Sequence, residues 1–305
     1  MYWNIPNALY VEGYALDRFA AGDWGLRPVR SNRIGLVFDR AIEDELLQRH
    51  LQVADAARAT LGLELTDYVI TDAPLDVGLQ HGGSQASWGT IGNPDSLLRA
   101  AESAIADAGA EAIAVVARFP DDSDSQTLQD YRQGRGIDPI AGVEAIISHL
   151  VVRTFRVPCA HSPALQPLPF DPNISPRSAA EELGYTFLPC VLVGLSRAPQ
   201  FIARDPNNTS HFPTDLYSNG INTAIVPATA CGGSAILKLS ETKTRIIAVN
   251  DNTTQMRSPP ELLKIPAVRV NSYLEAMGAI VAHRSGVSLE SLQPTVLHLC
   301  SLSER

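Results

Sequence analysis

The segment Val226-Pro-Ala-Thr-Ala-Cys-Gly-Gly-Ser-Ala235 runs from an apolar, strand-like stretch through two glycines into a helix start. Such a turn leaves backbone N–H groups without partners beside the positive end of a helix dipole, and that combination holds a phosphate or carboxylate. Gly232 and Gly233 shape the turn, and the hydroxyls of Thr229 and Ser234 are placed to bind substrate. Cys231 is the candidate nucleophile or acid–base group, because a helix N-terminus lowers a thiol pKa from about 8.5 to roughly 3.5–7.5. The competing reading is a sterically tight turn with a thiol that is simply buried, as free cysteines often are. No Gly-Lys-Ser/Thr follows and the third glycine of a GxGxxG motif is absent, so neither ATP nor NAD is indicated and no cofactor is assigned.

Pro158-Cys-Ala-His161 places a thiol and an imidazole two residues apart, on one face if the segment is a strand. His161 is then a candidate general base or hydrogen-bond donor to substrate. Two ligands do not make a zinc site, and the histidines at 50, 81, 149, 211, 283 and 298 have no ligand spacing. Arg118-Phe-Pro-Asp-Asp-Ser-Asp124 follows a strong strand. Its guanidinium and carboxylates, Arg118 and Asp121 foremost, suit a carboxylate ligand, sugar hydroxyls or Mg²⁺, or else form a solvated acidic loop. His81 to Asn93 is a glycine- and serine-rich loop, read as a lid carrying Trp88 or as a plain connector.

These groups need elements to position them. Apolar runs alternate with helical periodicity, which predicts an α/β fold: a mainly parallel sheet with helices on both faces, in one or two lobes. Strands are expected at Ile34–Phe38, Tyr68–Thr71, Ala112–Ala117, Cys190–Gly194, Asn222–Val226 and Arg245–Asn250. Helices are expected from Ile42 to Leu61, from Pro94 behind an Asn93 cap, from Asp138-Pro139 to Leu150, from Ser175-Pro176 to Gly184, and from Ser272 to Arg284. Ser258-Pro-Pro-Glu261 has the spacing of a capping box. The reading divides the chain into an α/β lobe over 1–198, a linker or insertion over 199–220 and a smaller α/β lobe over 221–305. Ligands of open parallel sheets bind beyond the carboxyl ends of the strands. The rim candidates are therefore Asp39, Thr71, Asp72, Arg118, Asp121, Asp122, Cys159, His161, Arg197, Thr229, Cys231, Ser234 and Asn250 to Asn252.

Composition narrows the class. In 305 residues, 45% hydrophobic and 19% charged, a full core can be buried, and disorder, collagen and coiled coil are excluded. A net charge of -9 without a basic patch argues against nucleic acid. Apolar stretches fall far short of the roughly 20 residues that cross a bilayer. Nothing at Met1-Tyr-Trp-Asn-Ile-Pro6 reads as a signal peptide, so no membrane association and a cytoplasmic location are expected. Four widely spaced cysteines fit a reducing compartment, where the sequons at Asn207, Asn208 and Asn252 are silent.

Tyr10-Val-Glu-Gly13, Trp24-Gly-Leu-Arg-Pro28, Ala86-Ser-Trp-Gly-Thr-Ile-Gly-Asn-Pro-Asp95, Ser175-Pro-Arg-Ser-Ala-Ala-Glu-Glu-Leu-Gly184 and Pro227-Ala-Thr-Ala-Cys-Gly-Gly-Ser234 together resemble the domain of unknown function 3326 family of cyanobacteria and plastid-bearing eukaryotes. The resemblance spans nearly the whole chain and implies no established reaction. Its pattern has a glycine-containing strand segment before the Tyr-Trp region, which implies that this chain lacks a first βα unit. The residues themselves point to an enzyme acting on a small anionic metabolite, with the 227–234 turn holding the anion and Cys231 or His161 handling protons or attack. A non-catalytic metabolite-binding or regulatory protein, or a structural subunit, are the alternatives. A homo-oligomer is compatible with either lobe.

Overall fold

Ile34-Gly-Leu-Val-Phe38 has no polar side chain, and it forms a strand buried on both faces, as strands of helix-covered parallel sheets do. The computed structural model describes residues 8–81, 87–121, 126–135, 138, 140–176, 178–179, 187–203, 212–296 and 298–299. The chain divides into two compact units, Met1–Tyr217 and Ser218–Arg305.

The first unit contains α1 (Gly13–Ala20), β1 (Trp24–Arg27), β2 (Ile34–Phe38), α2 (Asp44–Leu61), β3 (Leu65–Ile70), β4 (Val77–His81), β5 (Ser87–Ile91) and α3 (Pro94–Ala106). These are followed by β6 (Ala112–Arg118), α4 (Gln126–Arg132), α5 (Ala141–Phe155), β7 (Cys159–Ala164), α6 (Phe187–Ser196) and β8 (Gln200–Ala203). Four strands form an all-parallel sheet in the order β3-β2-β6-β7. The chain leaves β2 for β3 on one side and returns to β6 on the other. The carboxyl ends of β2 and β6 therefore flank a topological switch point, where ligands of such sheets bind.

One face of the sheet packs Ile34, Leu36, Phe38, Ala114 and Val116 against Leu46 and Ala54 of α2 and Leu188, Leu192 and Leu195 of α6. Helices α3 and α5 cover the other. Gly35 explains the close seat of α3, since a Cβ there would stand 2.7 Å from that of Ala110 and 3.1 Å from that of Ala104. Two antiparallel pairs, β4–β5 and β1–β8, lie outside the sheet. The mixed α/β fold with parallel strands and helices on both faces is thus observed, and helices α2, α3 and α5 start within a few residues of their sequence signals.

Two differences concern the candidate residues. The strand expected at Cys190–Gly194 is part of α6. That run is apolar throughout and shows no period of two, and its buried Leu188, Leu192 and Leu195 follow a helical stripe. Residues 82–86 lie outside the described residues, and the rest of the expected lid includes the paired strand β5. The helix expected over Ser175–Gly184 falls largely outside the described residues.

The second unit carries β9 (Thr223–Pro227), α7 (Ser234–Ser240), β10 (Arg245–Val249), β11 (Ala267–Val270) and α8 (Tyr273–Arg284). Its strands form a parallel sheet of order β9-β10-β11. Ser272 caps α8, its hydroxyl accepting from Glu275 N at 3.2 Å. Ser258–Glu261 does not open a helix. Ser258 instead bridges to Ala230, and the Glu261 carboxylate is taken by Arg269. Among the described residues, no helix is long and apolar enough to cross a membrane.

Candidate functional site

At the switch point of the first sheet the polar groups are turned onto the chain itself. Asp39, 2% exposed, follows β2. Its Oδ1 accepts from Ala41 N (3.0 Å) and Leu75 N (2.9 Å), and its Oδ2 from Arg118 N (3.1 Å). One carboxylate therefore holds the loops after β2, β3 and β6. The hydroxyl of buried Thr71 accepts from Arg40 N at 2.9 Å and donates to Ala73 O at 2.8 Å.

Arg118 is similarly engaged. Its Nε donates to Glu43 Oε2 at 2.9 Å, Nη2 to Glu43 Oε1 at 2.9 Å and Nη1 to Asp121 Oδ1 at 3.0 Å. It also donates to the carbonyls of Phe119 and Ala164, and Asp121 accepts from Gln166 N at 3.2 Å. The guanidinium holds the carboxyls of Asp121 and Glu43 below their ordinary range. Two carboxylates on one cation leave the clasp net negative, which disfavours an anionic ligand. Arg118 and Asp121, expected to bind substrate, here lock the ends of β6 and β7 to the start of α2. Asp72 meets a similar fate. Arg99 grips it bidentately at 2.7 and 2.9 Å, and that grip, with the hydrogen bond from Ser96, keeps its carboxyl far below the usual range. Asp122 and Asp124 lie outside the described residues.

The acid–base groups gather along the seam between α5 and β7. Cys159 and His161 share a strand face, as their spacing predicts. His161 is 21% exposed at its side chain. Its Nδ1 is 2.7 Å from Ser148 Oγ, and its Nε2 is 3.5 Å from Glu144 Oε2. Cys159 is fully buried and its thiol is pushed up, first by burial and then by the charge of Glu12. Glu12 in turn accepts from Tyr14 N (2.8 Å) and Ala15 N (3.3 Å), capping α1, and pairs with His149. The sequence reading missed Glu144, Ser148 and Glu12. A readable signal was present for two of them, since Glu144 and Ser148 stand four apart on an otherwise apolar face of α5.

In the second unit the 227–234 turn has already found its acceptors. Cys231 N donates to Ser258 O at 3.0 Å and Gly232 N to Ser258 Oγ at 3.2 Å. Ser258 Oγ donates to Thr229 O at 3.2 Å, and the Thr229 hydroxyl pairs with that of Thr254 at 2.8 Å. Gly232 is needed sterically, because a Cβ would meet the Ser258 side chain at 2.9 Å, whereas Gly233 and Ser234 are exposed. Cys231 is sealed at 0% exposure, and burial raises its thiol pKa where a helix N-terminus would lower it. These are the surroundings of a core thiol and do not favour the nucleophile expected from the sequence. The anion-binding reading of the turn loses the two N–H donors that Ser258 occupies.

The same rim carries Arg269, which donates to Glu261 at 2.6 and 2.7 Å and to Asn250 Oδ1 at 2.7 Å. Arg269 draws the Glu261 carboxyl from an ordinary 4.5 down to about 2. A depressed carboxyl stabilises the fold above its unfolded pKa and loses that contribution as the pH falls through its folded value. The melting temperature of the second unit should therefore fall between pH 4.5 and about 2, and Arg269→Gln should flatten that part of the profile.

Asp72, Arg118 and Asp121 thus share one sheet rim and His161 sits on the adjoining strand β7, whereas Thr229, Cys231, Gly232, Gly233 and Ser234 belong to a different sheet in the other unit. Arg197 follows a helix rather than a strand end, so the reason for its candidacy is gone. Among the described residues, no three His, Cys, Asp or Glu side chains are grouped to hold a metal ion.

Residues 1–293 match the family described as "Protein of unknown function (DUF3326)". The chain belongs to this family. It is also 55% identical over 294 residues to an uncharacterized lipoprotein of Synechococcus sp., covering 96% of this chain and 80% of that protein. No solved structure matches. The Tyr10-Val-Glu-Gly13 and Trp24-Gly-Leu-Arg27 segments have structural work in this fold. Tyr10 Oη donates to Cys159 O at 3.2 Å, Trp24 stacks on Phe201 at 5.6 Å, and Arg27 forms a bidentate pair with Asp215, both bonds 2.9 Å.

Proposed function

We propose that the chain is an enzyme that moves a proton on a small metabolite, with His161 as its acid–base group. The carrying observation is the two-sided support of this imidazole by Glu144 and Ser148. In the neutral ring the hydrogen sits on Nδ1 and is donated to Ser148 Oγ, which leaves the Nε2 lone pair on the Glu144 side to take up a proton. Glu144 then stabilises the imidazolium that forms on protonation. Ser148 is 2% exposed, so its hydroxyl holds the ring and does not attack a substrate. The proton is exchanged with substrate at Nε2, which the 3.5 Å separation from Glu144, wider than a good hydrogen bond, leaves open.

The anionic class expected from the sequence gives the first chemistries to screen, carboxylates and phosphates. For any compound that wild type converts, His161→Ala should lower kcat by roughly 10²–10⁴-fold, and Glu144→Gln should lower it by a smaller factor, both with circular dichroism unchanged. Turnover surviving in both variants would rule the proposal out.

A second reading, a binding protein without turnover, is favoured by the rim itself, where Asp39, Asp72 and Arg118 are committed to ordering loops. A compound that stabilises wild type and His161→Ala equally, and is never converted, selects it. As for compartment, the buried thiols Cys159 and Cys231 support the cytoplasm, and the lipoprotein name of the Synechococcus relative supports the cell envelope.

A further inference from the structure

Helix α8 spends one face on its own unit. Ala276 and Ala279 pack against Ile247, Val249 and Val270. The opposite side carries Leu274, Met277 and Val281, spaced i, i+3, i+7, which are 77, 62 and 63% exposed, with Tyr273 at 50%. A surface helix places polar residues there. Gly278 lies in the middle of this stripe, exposed, with nothing within 4 Å of the position a Cβ would take.

The stripe is self-complementary about the midpoint between Met277 and Gly278. With a second α8 laid antiparallel across it, Leu274 meets the partner's Val281, and Met277 enters the space above the partner's Gly278. Each contact recurs on the other side of the two-fold, as an isologous interface requires, and the helix dipoles oppose. From this pattern we infer that α8 is the centre of a homodimer interface, its occupant a second copy of this chain. A stable interface takes roughly 800 Å² from each partner. Four side chains exposed by half or more supply roughly half of that as an apolar centre, with a polar rim completing it. The inference is independent of the proton-transfer reading, which concerns the first unit.

Sedimentation equilibrium of the full chain should show a monomer–dimer equilibrium. Met277→Asp should weaken it at least tenfold while leaving the circular dichroism spectrum unchanged, because the side chain is 62% exposed in the single chain. Gly278→Leu should also abolish the dimer, by filling the space for the partner's Met277. It should leave the monomer at least as stable, since leucine favours a helix over glycine. A wild type that stays monomeric at every concentration, a dimer that survives both substitutions, or a monomer that sediments with phosphatidylglycerol vesicles through this face would each overturn the inference.

Discussion

Asp39→Asn is expected to destabilise the first unit by about 4 kcal/mol, because hydrogen bonds to a buried charged group each contribute about 1.5–3 kcal/mol and their loss is not fully additive. The wild-type carboxylate receives three backbone N–H groups from three loops. An asparagine oxygen can keep the two at Ala41 and Leu75, but its amide then points N–H against the N–H of Arg118. The frustrated pair lies in a site 2% open to water, so solvent offers little relief. Asp39→Ala should be comparably damaging. Urea unfolding followed by circular dichroism measures both. A loss below about 1 kcal/mol, within the range of a single neutral hydrogen bond, would show that the three loops are held by other contacts. The same experiment bears on function, since this carboxylate positions the backbone of Arg118 and, through it, the end of β7.

Glu12→Ala is expected to cost about 2–3 kcal/mol, the sum of a lost helix cap of about 1 kcal/mol and a broken pair with His149 at a carboxylate 3% exposed. Glu12→Gln separates the two contributions, since an amide oxygen still accepts from Tyr14 and Ala15 while the charge facing His149 is gone. The glutamine variant should therefore lose about half as much. In the double variant with His149→Ala the effects should be markedly non-additive. Equal losses in the alanine and glutamine variants would assign the whole effect to the charge and none to the cap. Because burial and then the Glu12 charge raise the Cys159 thiol, either substitution should also ease ionisation of that thiol, detectable by labelling in partly denaturing urea.

The legible parts of this chain were those whose signals are local. Asn93-Pro94 announces α3, the 3.6-residue stripe through Leu97, Ala101 and Ala104 gives its buried face, and uninterrupted Ile34–Phe38 and Ala112–Ala117 give two central strands. Where an apolar run has no period, as in Phe187–Ser196, propensity was no guide, and burial by the neighbouring elements chose a helix. The candidate site was legible in residue type but not in partnership. His161 was singled out by its type, while Glu144 and Ser148, which the fold brings beside it, were not.

Local patterning, then, determined by itself the α/β class, most element starts and the polar character of the strand ends, because helix caps and hydrophobic periods act over a few residues. Tertiary structure alone decided what those polar groups do. Arg118 meets a carboxylate 75 residues before it only because β2 and β6 are neighbours in the sheet. Cys231 is buried in a turn whose N–H groups are taken by Ser258, 26 residues after Gly232. Side-chain pairing across such separations depends on strand order and register, which no short stretch of residues encodes.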